Sequence, residues 1–199
     1  MKSEIGMTYQ IPEPPFAVTD FKGMPKSQLK IYYHWFMNQI QTRVGLLLEL
    51  VHDTDEYKDW VADYSMDSFS RLNDWFALQV ETYPRSAEQT AEMEKKLPFG
   101  FEVDDFDLTT QTLAIAFDIG IYLGQVMLRQ HPSLKWEQSL KNKRFIEYGK
   151  PVLVGFKVDV PMDPIHLMIV QAYGLAKGNR TPQRFLAGLS IWSDRVILP

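Results

Sequence analysis

Three observations predict an α+β fold. Apolar residues recur at helical spacing through residues 27–80, one later run is apolar on almost every side, and the period then changes to that of short strands. Together they imply a helical layer with a central buried helix at about residues 110–130, and a small antiparallel sheet in the C-terminal half. Residues 1–24 read as an extended arm and residues 25–199 as a single domain.

The arm carries Pro12, Pro14 and Pro15, which oppose helix, with Ile11, Phe16 and Phe21 available as anchors. A first helix is expected from Ser27 to Val51, with Pro25 near its start and Ser27 as its cap. Its stripe is Leu29, Tyr33, Phe36, Ile40, Val44, Leu47 and Val51. A second helix starts at Ser65, which can cap it, and Asp67 suits the positive end of the dipole. Phe69, Leu72, Phe76 and Val80 form its buried face, and Pro84 closes the segment. Residues 82–107 are the least regular. Ala87 to Leu97 suits a short exposed helix, Pro98-Phe99-Gly100 breaks it, and Glu102, Asp104, Asp105 and Asp107 read as a solvated loop without calcium-loop spacing.

The run from Leu113 to Arg129 is the central helix, with Thr109 or Thr110 as its cap. Ala116, Gly120 and Gly124 lie four apart and form a low ridge for a closely approaching helix. Glycine costs about 1 kcal/mol against alanine inside a helix, so two of them there imply a packing reason. Asp118, Tyr122, Gln125 and Arg129 form a separate polar stripe, the first place to look for binding. A carboxylate in so apolar a helix must be paired, protonated or at an edge, and Arg43 is the partner in prospect for Asp118.

After His131-Pro132, residues 134–137, 144–148 and 151–156 read as short strands, with a turn at Gly149-Lys150. Asp163-Pro164 opens a helix that runs to about Ala176 and ends at Gly178-Asn179. Thr181-Pro182 opens a last helix, with Phe185, Leu186, Leu189 and Trp192 facing inward.

There are no cysteines, which removes thiolate metal sites and a cysteine nucleophile. A formal net charge of −4 argues against a nucleic-acid partner. The first residues lack the apolar core of a secretory signal, and the central run is short and polar for a membrane span. The expectation is a cytoplasmic protein without a membrane partner.

Four phrases taken in order carry a resemblance: YYHWFMNQIQTRVGLLLEL (32–50), DYSMDSFSRLNDWF (63–76), GIYLGQVMLRQHPSLKW (120–136), and KPVLVGF followed by DPIHLMIVQA. Together they resemble a family of uncharacterised bacterial proteins, mostly of Gram-positive type. The resemblance implies a single α+β unit and bacterial origin, and transfers no catalytic residue onto this chain.

The remaining chemistry is sparse. Glu49-x-x-His52 has the carboxylate–histidine spacing of a helical-bundle metal site, and Asp163 with His166 repeats it in another helix. No serine lies in a nucleophile elbow, and no glycines form a phosphate loop. The leading expectation is a non-enzymatic protein acting by protein–protein contact, of immunity or regulatory type, with no cofactor. The alternatives are a metal-dependent hydrolase using Glu49 and His52 with Asp163 and His166, and a small-molecule-binding module.

Overall fold

A computed structural model describes residues 9–17, 20–95, 103–157 and 160–194. Helix α1 (Lys26–His52) buries Leu29, Tyr32, Phe36, Ile40, Arg43, Val44, Leu47 and Val51. Its cap position is Pro25, with no side-chain cap bond, so Ser27 does not serve as the cap. The stripe is also turned by one residue at its start. Tyr32 is buried, and Tyr33 stays half-buried and donates its hydroxyl to the Trp136 carbonyl at 3.0 Å. Helix α2 (Met66–Gln79) begins at Ser65, whose hydroxyl accepts the Ser68 N–H, and buries Phe69, Leu72, Asn73, Trp75 and Phe76.

The stretch expected to be irregular holds a ribbon. Strand β1 (Thr82–Pro84) pairs antiparallel with β2 (Phe106–Leu108), Tyr83 standing opposite Asp107. Between them lies α3 (Ala87–Glu94), opened by a capping box of Ser86 and Gln89. The acidic run is accordingly no free loop. Asp107 pairs with Arg85 at 3.1 Å and accepts the Tyr173 hydroxyl, while Asp104 pairs with Lys177 at 2.8 Å. The expected breaker 98–100 and Glu102 lie outside the described residues.

Helix α4 (Thr110–Gln130) is capped by Thr109, which accepts the Thr112 N–H. Every residue from Ile119 to Gly124 is buried, so no face of that segment meets water. Such a helix must be surrounded, and α1, α2 and α5 (Pro164–Ala176) pack round it. By length and composition α4 could also cross a membrane, but most of it is buried within the fold.

The expected ridge meets two different neighbours. A Cβ added at Gly120 would lie 2.6 Å from the Ile165 Cα, so α5 starts against it. One added at Gly124 would collide with the Trp136 indole. Trp136 belongs to β3 (Lys135–Gln138), which pairs antiparallel with β4 (Pro151–Val154), and Met162 bridges to Leu153. Residues 144–148, expected to be a strand, instead form successive turns between β3 and β4. Phe145 and Ile146 are 57% and 60% exposed, which removes the buried face a strand there would need. Helix α6 (Pro182–Ser193) opens on the Thr181 cap, packs on α2, and buries Phe185 and Leu189.

Candidate functional site

The polar stripe of α4 is a row of internal ties. Asp118 has no exposed surface. The Arg43 guanidinium grips it twice, Nε to Oδ1 at 2.7 Å and Nη2 to Oδ2 at 2.6 Å. The Tyr9 hydroxyl also donates to Asp118 Oδ2, and Arg43 Nη2 reaches the Gln10 carbonyl at 2.7 Å. One carboxylate thus joins α4, α1 and the N-terminal arm. Burial pushes the Asp118 carboxyl up, and Arg43 and Tyr9 pull against that. Burial also raises the Tyr9 hydroxyl well above its ordinary range, with the adjacent carboxylate adding to the effect.

One turn on, the buried Tyr122 hydroxyl lies 2.6 Å from Ser68 Oγ and accepts the Tyr64 N–H at 3.0 Å. Tyr64 has φ 59°, a left-handed backbone that a bulky residue adopts only when held there. Arg129 donates to the Asp63 carbonyl at 2.6 Å, on the same loop, and Gln125 is half-buried. Tyr122 and Arg129 therefore fasten the entry to α2. The stripe borders none of the cavities described below.

The metal alternative does not assemble. Asp163 lines a cavity with Tyr32, whereas Glu49 lies 17 residues further along α1, roughly 25 Å away by helical rise. His52 Nε2 donates to the Trp60 carbonyl at 2.7 Å. Asp163 is occupied as the cap of α5, accepting the His166 N–H at 2.9 Å, and pairs with Lys150 at 3.2 Å. Among the described residues no three His, Asp or Glu side chains are grouped to hold a metal ion.

The structure instead opens a groove on the neighbouring face of α4. Ile11, Pro12 and Pro14 of the arm form one wall, Tyr32 and Trp35 of α1 another, and Leu113 and Phe117 of α4 with Ile169 of α5 the floor. It encloses about 310 Å³. Tyr32, Phe117 and Ile169 also line a second space of about 170 Å³, which ends at Lys150, Asp163 and His166. The two spaces thus share three wall residues, with a long apolar section and a polar end. The aromatic wall is firm: Tyr32 packs on Trp35 at 5.4 Å and on Phe21 at 5.1 Å between ring centroids. Lys150 spends one ammonium donor on Asp163, and an ammonium has three.

Reading the sequence missed this groove because its walls come from four separate segments. The available signal was Tyr32 and Trp35 at i,i+3 and Leu113 and Phe117 at i,i+4, both apolar pairs beyond what one stripe needs. Comparison with models of known protein families, with curated proteins and with solved structures finds no match.

Proposed function

We propose that this protein acts by binding rather than by catalysis, and that the arm-walled groove takes an amphipathic small molecule with an anionic head. The observation that carries the reading is the groove's polarity gradient. Ile11, Trp35, Leu113 and Phe117 supply apolar walls, and Lys150 and His166, beside Asp163, supply the polar end. Binding sites of this kind combine an apolar body with a few placed polar groups. A carboxylate at the polar end would take the ammonium donors that Asp163 leaves free.

Calorimetric titration with dodecanoate and with dodecanol tests the reading. Saturable one-to-one binding that favours the carboxylate is expected. Lys150→Gln should remove that preference, and Ile169→Trp, which fills the floor, should abolish binding. Failure of both ligands to bind the wild-type protein overturns the reading.

A second reading keeps the same groove for protein–protein contact. Pro12 and Pro14 line the same groove as Tyr32, Trp35 and Phe117, and proline-bearing segments dock in aromatic-lined grooves of this type. A partner's proline-bearing segment would then displace the protein's own arm. A proline-rich peptide that competes with dodecanoate would favour this reading over the first.

A further inference from the structure

We infer that the turn joining β3 to β4, residues 139–150, is a docking element for an anionic lipid surface. This rests on the turn and the segment packed beside it, and not on what the groove binds. The base of the turn is pinned. The Gly149 N–H donates to the Ser139 carbonyl at 2.6 Å, and Gln138 Nε2 donates to the carbonyls of Leu29 at 2.5 Å and Gly149 at 2.9 Å. Tyr148 is 1% exposed, with the Lys143 ammonium 5.7 Å from its ring centroid. On this fixed base the adjacent Phe145 and Ile146 point outward, 57% and 60% exposed.

The surrounding charge is segregated. Lys143 Nζ donates to the Lys22 carbonyl at 3.1 Å, which brings the segment before α1 against the turn. Residues 20–30 and 139–150 together hold seven of the chain's 21 Lys and Arg but two of its 25 Asp and Glu. Lys22, Lys26, Lys30, Lys141, Lys143 and Arg144 are all exposed. In a chain of net charge −4 this is a local cationic collar round an apolar tip. Anionic bilayers attract such a collar, and their interface accepts large apolar side chains without a matching pocket. A protein partner is the weaker fit. The cleft beside Phe145 encloses about 70 Å³, too little to seat an aromatic anchor from another protein.

Co-sedimentation of the full chain with phosphatidylcholine vesicles, with and without phosphatidylglycerol, tests the inference. Binding is expected only when phosphatidylglycerol is present, and it should weaken as salt rises. Lys141→Gln and Arg144→Gln together should lower the partition coefficient at least tenfold, at about fivefold for each cation removed. Phe145→Ser with Ile146→Ser should abolish binding while the thermal melt stays that of the wild type, because neither side chain is in the core. No binding to phosphatidylglycerol vesicles, or binding that both double variants retain, overturns the inference. So does capture of an acidic protein through the same residues without vesicle binding.

Discussion

Asp118 illustrates how little choice a buried charge has. With its partners in place the carboxylate has its charge met by Arg43 and its remaining oxygen capacity met by Tyr9. Removing one partner of such a pair strands the other, at a cost of about 3–5 kcal/mol. Asp118→Ala is therefore expected to lower the thermal midpoint sharply. Replacing the pair together, Asp118→Leu with Arg43→Met, should recover most of the loss, since neither charge is then buried alone. A double variant no more stable than Asp118→Ala would show that the arm contact, not charge burial, dominates. Asp63 is the exposed counterpart. Hydrogen bonds from Ser65 and Ser68, chiefly the Ser65 side chain, hold its carboxyl at about 2 against an ordinary 3.8. The folded pKa is the lower one, so its contribution is present above 3.8 and is lost as pH falls towards 2. A carboxyl-carbon NMR titration should give a midpoint near 2 for Asp63, and Ser65→Ala should move it upward.

At the scale of elements, glycines of identical helical setting should respond with opposite signs. Gly120 faces the Ile165 backbone with no room for a Cβ, whereas a Cβ at Gly45 in α1 would meet nothing within 4 Å. Gly45→Ala should stabilise by roughly 0.5–1 kcal/mol through helix propensity. Gly120→Leu should destabilise by at least 1–3 kcal/mol, because backbone cannot yield as a side chain can. Denaturant titration of the two variants resolves both. A Gly120→Leu protein with the wild-type midpoint would remove the close approach of α5 from the account.

Helices α2, α4, α5 and α6 were legible because each carries both an apolar pattern and a local start signal. Ser65, Thr109, Asp163 and Thr181 each accept the N–H three residues on, and that relation is contained in four consecutive letters. The β1–β2 ribbon was not legible. Its strands are three residues long, one contains Pro84, and its pairing joins Thr82 to Leu108 across a helix. Phe145 and Ile146 misled for the opposite reason, since they have strand-forming side chains but no sheet to face. For the candidate site, Asp118 and Arg43 could be paired from the need to neutralise a buried charge. Tyr9 could not, because nothing local links it to a residue 109 positions away.

Across the whole molecule the arm contributes to two things at once. Tyr9 and Gln10 complete the Asp118–Arg43 cluster, and Ile11, Pro12 and Pro14 wall the groove one to five residues later. Deleting residues 1–17 should therefore destabilise the fold and also expose Trp35 and Leu113. A lower thermal midpoint together with stronger binding of a hydrophobic dye at native temperature is the expected pair of results. A truncated chain with the wild-type midpoint would mean that the arm is dispensable to the core.

The same cluster sets a timetable for synthesis. Arg43 leaves the ribosome 75 residues before the carboxylate that neutralises it. At roughly 5–20 residues per second that interval is on the order of 4–15 s. Throughout it, α1 carries a cation in the middle of its apolar stripe, which disfavours burying that face against anything else. The charge that the finished core must neutralise is thus expected to disfavour association of the nascent α1 face until α4 arrives.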